Sequence, residues 1–328
     1  MKPQADLRQQ LQQLEGRSYG AYKSIRGEYA CGNFTLLIDQ VQGDPFAAPS
    51  RVRVQVPQTV AQFPAHLYSN PVRATALADY LTRQFHQAAQ RSQRRVGSGK
   101  SGLIAIAVPS QAILKRTAAR VTADAVEVRF TVGLPAFGRR IAGQAAASLL
   151  CEEVPDLVMR LLYTHLDPEV IQQHVNTAED ADWLRRQLDQ RGLVAFIADD
   201  AILPRRSGVD ERPLAENAIS FRSPESLRVT FDCPHANTLS GMGIPKGITL
   251  IVGGGYHGKS TLLQVIEAGV YAHVPGDGRE RVITNSRAMK VRAEDGRSIT
   301  GVNISPFINH LPQDRSTTAF STSNANGS

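Results

Sequence analysis

The sequence predicts an α/β protein in two parts: a mixed α+β N-terminal domain over residues 1–190, then residues 191–328 built around a strand–loop–helix unit. Three observations carry this. The chain has 328 residues, more than one average domain of about 100 to 200 uses. Up to residue 190, short alternating or apolar runs are mixed with long amphipathic ones. Beyond it, an apolar run, a glycine-rich loop and a helical pattern follow one another directly over residues 248–270.

The elements follow in order. Asp6–Leu14 reads as a helix, and GRSYGAYKSIRGEY as a loop leading into a strand, FTLLID, at Phe34–Asp39. Gly-Asp-Pro and Ala-Pro-Ser then mark turns before Arg51–Val56, which alternates basic and apolar residues with the period of a half-buried strand. Asn70–Arg95 carries an amphipathic helix that runs out in the basic tract RSQRRVGSGKSG. Leu103–Val108 reads as a buried strand and Val126–Val132 as another. Helical periodicity governs Gly143–Tyr163 and Asp167–Arg191, with Asp167-Pro168 as the start of the second helix.

Composition narrows the class. Charged residues are 20% and the hydrophobic set 42%, ordinary for a globular chain. No apolar run approaches the roughly eighteen residues that span a bilayer, and the N-terminus has no signal-peptide core, so a cytoplasmic protein without a membrane partner is expected. Cys31, Cys151 and Cys233 lie far apart, outside any metal-ligand spacing, and read as reduced thiols.

The net charge of +7 is uneven. Residues 1–150 hold 19 basic against 8 acidic side chains, and residues 151–328 hold 18 against 22. A surface for a polyanion such as RNA is therefore expected in the first half, with Arg91, Arg94, Arg95 and Lys100 as candidate contacts. The wider basic set adds Lys115, Arg116, Arg120, Arg139 and Arg140. A solvated face is the alternative, since no RRM, KH or zinc signature accompanies the charge.

The strongest motif is Gly253-Gly254-Gly255-Tyr256-His257-Gly258-Lys259-Ser260-Thr261, a full G-x-x-x-x-G-K-S or Walker A loop. It stands between the apolar run Ile248–Val252, read as a strand, and the helical pattern TLLQVIEAGV. Glycines let successive backbone N–H groups turn toward phosphates, and the helix N-terminus adds partial positive charge. Lys259 is placed to reach the β and γ phosphates of ATP, Ser260 to ligate Mg²⁺, and Thr261 continues into the helix. Tyr256 and His257 fill variable positions, whose side chains usually point away from phosphates.

Two stretches imitate such a site. Gly97-Ser98-Gly99-Lys100-Ser101 has Arg94 where the first glycine belongs and follows a helix rather than a strand, so a flexible basic loop is expected. Leu193–Asp200, LVAFIADD, resembles a magnesium-holding strand but precedes the phosphate loop, so it reads as an ordinary strand and turn. After Lys259 no apolar run ends in an acidic pair.

Segments spread from about residue 19 onward, among them YGAYKSIRGEY, IDQVQGDPFAAPSRVRV, ILPRRSGVDERPL, TLIVGGGYHGKSTLLQVIEAGVY, HVPGDGRE and RAEDGRSITGVNISPFI, resemble one family. It is the ABC-class ATPases that carry a dedicated N-terminal domain. The resemblance implies that residues 191–328 are the first part of a P-loop ABC-type ATPase domain. It also implies that the sequence stops inside the signature region, with Asn326 where a serine is expected. It further implies pairing of two subunits, a homodimer or similar intermolecular arrangement, in which each signature completes the other's nucleotide site. ATP hydrolysis is then the activity of the intact family member, with the acidic pair absent here. Gln313 is the candidate metal-sensing glutamine and Phe231 the candidate aromatic under adenine, with a loop glutamine and a core phenylalanine as the alternatives. Rival functions are a nucleic-acid module with nucleotide-controlled grip and a small-molecule kinase.

Overall fold

One long helix serves two hydrophobic cores. The computed structural model describes residues 1–92, 96–254, 257–291, 297–311 and 315–325. Met1–Ser286 form one unit and Arg287–Ser328 a second.

In the first unit a seven-stranded sheet runs in the order Lys2–Pro3, Gly27–Cys31, Phe34–Gln40, Ser50–Pro57, Ala125–Val132, Ile104–Ala105, with Ala119–Val121 also paired to Ala125–Val132. Its neighbours are antiparallel apart from the first pair. In Ser50–Pro57 the alternation is as expected: Val52, Val54 and Val56 are buried while Arg51 is exposed. The helix Pro71–Ser92 lays Ala76, Leu77, Leu81 and Phe85 into this core, and the Phe85 and Phe130 rings lie 4.8 Å apart.

Two sequence expectations change here. The strand expected over Leu103–Val108 is reduced to Ile104–Ala105, because only these two residues meet a partner, Val132 and Thr131, and Val108 is turned to solvent. The helix expected over Gly143–Tyr163 is broken into Gly143–Ser148, a wide π turn at Leu149–Glu153, and Val154–Met159. Pro155 lacks the amide hydrogen that a regular helix would use at that turn.

The helix Pro168–Gln190 starts where the sequence placed it. Asp167 Oδ1 accepts from the amides of Glu169 at 2.9 Å and Val170 at 3.3 Å, satisfying two donors that have no partner within the helix. Its first half gives Ile171, Val175 and Ala178 to the core just described, and its second half gives Ala181, Leu184 and Leu188 to the next.

That second core lies on an antiparallel sheet ordered Arg228–Cys233, Asn237–Pro245, Leu193–Ala198, Val282–Thr284. Leu193–Ala198 is flanked on both sides by antiparallel partners. Asp199 then accepts from the amide and hydroxyl of Ser223, and Asp200 turns the chain at φ +65°. Both acids belong to an ordinary strand end and turn.

Phe231 is a core residue, fully buried, with the Phe196 ring at 5.0 Å, the Trp183 ring at 6.5 Å and the Arg191 guanidinium 4.3 Å above its own ring. It is not available to lie under a base. The second unit, taken by itself, holds an antiparallel pair, Arg297–Val302 with Phe320–Ala325, and a turn in which the amides of Phe307 and Ile308 both donate to the Ile304 carbonyl. Gln313 and Asn326 lie outside the described residues.

Replacing Phe231 with alanine should cost about 3–5 kcal/mol, the usual penalty for emptying a buried aromatic site. Urea unfolding of the two proteins measures it, and a loss below about 1 kcal/mol would show that this core is not packed as described.

Candidate nucleotide site

The glycine loop ends in a helix whose start is left open. Gly258 sits at φ +78°, a left-handed position that glycine reaches without the Cβ penalty, and Lys259–Ala268 follows as a helix. Among the described residues no side chain caps this N-terminus, where the helical pattern itself gives the first-turn amides of Lys259, Ser260 and Thr261 no acceptor and the helix dipole adds partial positive charge. Lys259 Nζ folds back to donate to the Gly254 carbonyl at 2.5 Å. The His257 ring lies against Gly254, where an added Cβ would come 3.1 Å from His257 Cε1, so His257 belongs to the wall of the loop. Ser260 is exposed beside Lys259 and Thr261 is half-buried. Gly253, Gly254, His257, Gly258, Lys259, Ser260 and Thr261 are thus neighbours in one loop, while Gly255 and Tyr256 lie outside the described residues.

The apolar run before the loop departs from expectation. Ile248–Val252 is not a strand, and Ile248, Leu250 and Val252 are 87%, 81% and 74% exposed. A strand exists only through its ladder, and among the described residues none pairs with this run.

The other end of the helix is tied down from three directions. Thr284 Oγ1 donates to the Ile266 carbonyl at 2.7 Å, His273 Nε2 lies 3.3 Å from the Ala268 carbonyl, and Arg185 Nη2 donates to the Gly269 carbonyl at 3.3 Å. Cationic and hydroxyl groups at a helix C-terminus satisfy its orphan carbonyls and oppose its negative end. Val265 is buried beside Ala195, Ile197 and Val282 and fixes the helix to the sheet. Behind His273, Nδ1 lies 2.8 Å from the buried Asp277 carboxylate, which also accepts from Arg205 Nη2 at 2.8 Å. Arg279, next in the same segment, donates to the Leu203 carbonyl, and burial together with the neighbouring Arg205 brings its guanidinium down to about 10. His273, Asp277 and Arg279 all fall in HVPGDGRE, a segment whose role was not legible from spacing. Arg185 gave no sequence signal at all.

The second glycine loop is a packed corner, which corrects the expectation of flexibility. Ser98 N donates to the Ala136 carbonyl, Lys100 N to the Pro45 carbonyl and Gly102 N to the Gly133 carbonyl, and Ser101 is 3% exposed. The amides of Ser98, Lys100, Ser101 and Gly102 are thus already bonded within the protein. Of the basic candidates, Arg91 is exposed near the end of its helix, Lys100 is exposed on this corner, and Arg94 and Arg95 lie outside the described residues. The structure brings Arg51, Arg53, Arg116 and Arg129 to one open cleft of about 990 Å³, with Asp39 as its acid.

All three cysteines are buried, and burial raises the thiols of Cys31 and Cys151 to about 11 and that of Cys233 to about 12, which keeps them protonated and inert at neutral pH. Among the described residues, no cluster of His, Cys, Asp or Glu has the makings of a metal site, and no helix is long and apolar enough to cross a membrane.

Loop and helix define a P-loop protein, and the comparisons place it further. Residues 4–165 match the N-terminal model of the ATPases of the ABC class, and residues 167–328 match the P-loop domain model of the ABC ATPases. The chain belongs to the family of ABC-class ATPases with a dedicated N-terminal domain. It is 32% identical over 142 residues to an uncharacterized protein, MJ1628, of Methanocaldococcus jannaschii, a match covering 40% of this chain and 30% of that relative.

The anchor at the helix C-terminus predicts that Thr284→Val, which keeps the shape but removes the hydroxyl, lowers stability by about 1–2 kcal/mol. Chemical denaturation of the variant tests it. No change would mean that the Ile266 carbonyl finds another donor.

Proposed function

We propose that the chain binds Mg-ATP at Gly253–Thr261 and that the intact family member hydrolyses it. The observation that supports this most is the helix Lys259–Ala268 beginning at the lysine of the G-x-x-x-x-G-K-S sequence, behind a left-handed Gly258 and with no side-chain cap among the described residues. In this reading the Lys259 ammonium leaves the Gly254 carbonyl for the β and γ phosphates, an exchange of a neutral acceptor for a charged one. Ser260 offers its hydroxyl to Mg²⁺, which would neutralise charge developing on the transferred phosphoryl group. Lys259 acts catalytically by the same route, stabilising that charge. Two copies facing each other across their nucleotide sites complete the reading. The helix Pro168–Gln190 then belongs to both functional parts: a boundary at residue 190 assigns it to the N-terminal domain, and the family-model join at 165–167 assigns it to the P-loop domain.

Lys259→Ala should abolish ATP binding or weaken it by at least about tenfold, the loss of one charge-assisted contact, while Lys100→Ala leaves it unchanged. Isothermal calorimetry on both variants decides between the two glycine loops. Damage from Lys100→Ala with Lys259→Ala silent would sink the assignment.

A second reading, a polyanion surface on the N-terminal domain, is favoured by the cleft of Arg51, Arg53, Arg116 and Arg129. Single-stranded RNA should bind the full chain with little sequence preference. Arg51→Gln together with Arg129→Gln should reduce the log–log salt slope by about 1.4, at roughly 0.7 per phosphate contact on a single strand. Fluorescence anisotropy at several salt concentrations measures this, and an unchanged slope removes the cleft from the reading.

A further inference from the structure

Beside the open cleft lies a smaller one, of about 420 Å³, lined by Lys115, Arg116, Arg120 and Arg129 and by one face of the first turns of the helix Pro71–Ser92 at Ala74, Thr75 and Ala78. No carboxylate lines it. Arg116 stands between the two clefts and is held from behind: its Nη1 donates at 2.6 Å to Asp79, whose side chain is fully buried. Asp79 also accepts from Arg83 Nε at 2.6 Å, with His174 Nε2 at 3.4 Å, and Arg83 reaches on to the Ala112 carbonyl. One carboxylate therefore serves two guanidiniums. Burial alone would push its pKa up, but the neighbouring His174 ring and the Arg83 guanidinium hold it below the usual carboxylate range. Arg129 shares Glu127 with Arg53, and among the described residues no ion pair is seen for Lys115 or Arg120, both exposed.

The balance of this wall is positive by more than its acids offset, and two of its cations are fixed in place by carboxylates behind them. Fixed guanidiniums lose little freedom on binding, and the nearby N-terminal end of a 22-residue helix adds partial positive charge. We propose that this cleft is a phosphate-binding site, in which Arg116 and Arg120 clasp a phosphate group, Lys115 adds its charge, and Asp79 acts as the positioning residue for Arg116. The phosphate belongs either to a small phosphorylated molecule or to a nucleic-acid backbone. Only in the second case does the site rest on the polyanion reading, to which it adds a defined subsite. It does not depend on the nucleotide loop.

The test uses the full chain carrying Lys259→Ala, so that the nucleotide loop does not report, with inorganic pyrophosphate followed by calorimetry and a short 5′-labelled RNA followed by anisotropy. Lys115→Gln with Arg120→Gln changes only exposed side chains, and Arg116→Gln is the third variant. Loss of about tenfold in pyrophosphate affinity in these variants supports the site with a free phosphate as its source. The same loss seen for RNA alone, with no pyrophosphate binding, supports it with a backbone source. If neither probe binds the parental chain, or if both bind the variants as tightly as the parent, the proposal is overturned. RNA binding that ignores these three residues while responding to Arg51 would leave the polyanion reading standing without this site.

Discussion

The helix Lys259–Ala268 behind the glycine loop is held at its C-terminal end by side chains of other elements in addition to its C-cap residue, Gly269. Thr284, His273 and Arg185 reach three carbonyls of its last turn, Ile266, Ala268 and Gly269, from two strands and a neighbouring helix. These bonds satisfy acceptors that a helix leaves orphaned, and two of them come from residues that favour the negative end of the dipole. The helix that follows the glycine loop is therefore attached to the second sheet through a separate apolar cluster, Val265 with Ala195, Ile197 and Val282, even though the apolar run that precedes the loop is solvent-exposed.

Arg185 shows how the anchor reaches further. It lies on Pro168–Gln190, whose two halves occupy different cores, and burial lowers its pKa because its hydrogen bonds go to carbonyls rather than to a carboxylate. One turn and a half earlier on the same helix, Glu179 bonds Asn70 and Arg73 of the N-terminal part and His235 of the turn joining Arg228–Cys233 to Asn237–Pro245. Asp180 accepts from the His235 amide, and burial raises its pKa. The helix is thus fixed by apolar contacts at both ends and by a polar clamp in the middle.

What was legible in the sequence was local. Asp167-Pro168 announced a helix because capping depends on the side chain two or three residues upstream of the amides it serves. The Ser50–Pro57 strand was readable from its period, and the glycine loop from spacing that only a tight turn explains. Relations that depend on pairing were not readable. Ile248–Val252 has the composition of a strand and lacks a ladder partner among the described residues, whereas Leu193–Ala198 has similar composition and two. The Asp79 hub was hidden for the same reason: Arg83 is one turn away and visible, but Arg116 is 37 residues distant and His174 arrives on another helix.

The two glycine-lysine-serine loops show why a short motif needs its amides counted before it is assigned a chemistry. Both contain Gly-Lys-Ser, and both expose the lysine at least in part. At Gly97–Ser101 the backbone donors go to Ala136 and Pro45, and the serine hydroxyl goes to the Ser98 carbonyl at 2.6 Å, so an arriving phosphate would have to displace bonds within the fold. At Gly258–Thr261 the donors belong to the first turn of a helix, where the helical pattern itself gives them no acceptor. Phosphate affinity comes from donors that folding leaves unspent, and the difference lies in whether a helix begins at the lysine. That feature follows from what comes after the motif, TLLQVIEAGV with its buried Val265, and not from the glycines. The same reasoning separates the basic residues: exposed Lys100 sits on a corner whose neighbours are satisfied, while Arg116 is aimed by a buried carboxylate toward a wall of further cations. Charge at the surface is common, and charge already held in one orientation loses less freedom when a ligand arrives, which is the property the proposed phosphate cleft rests on.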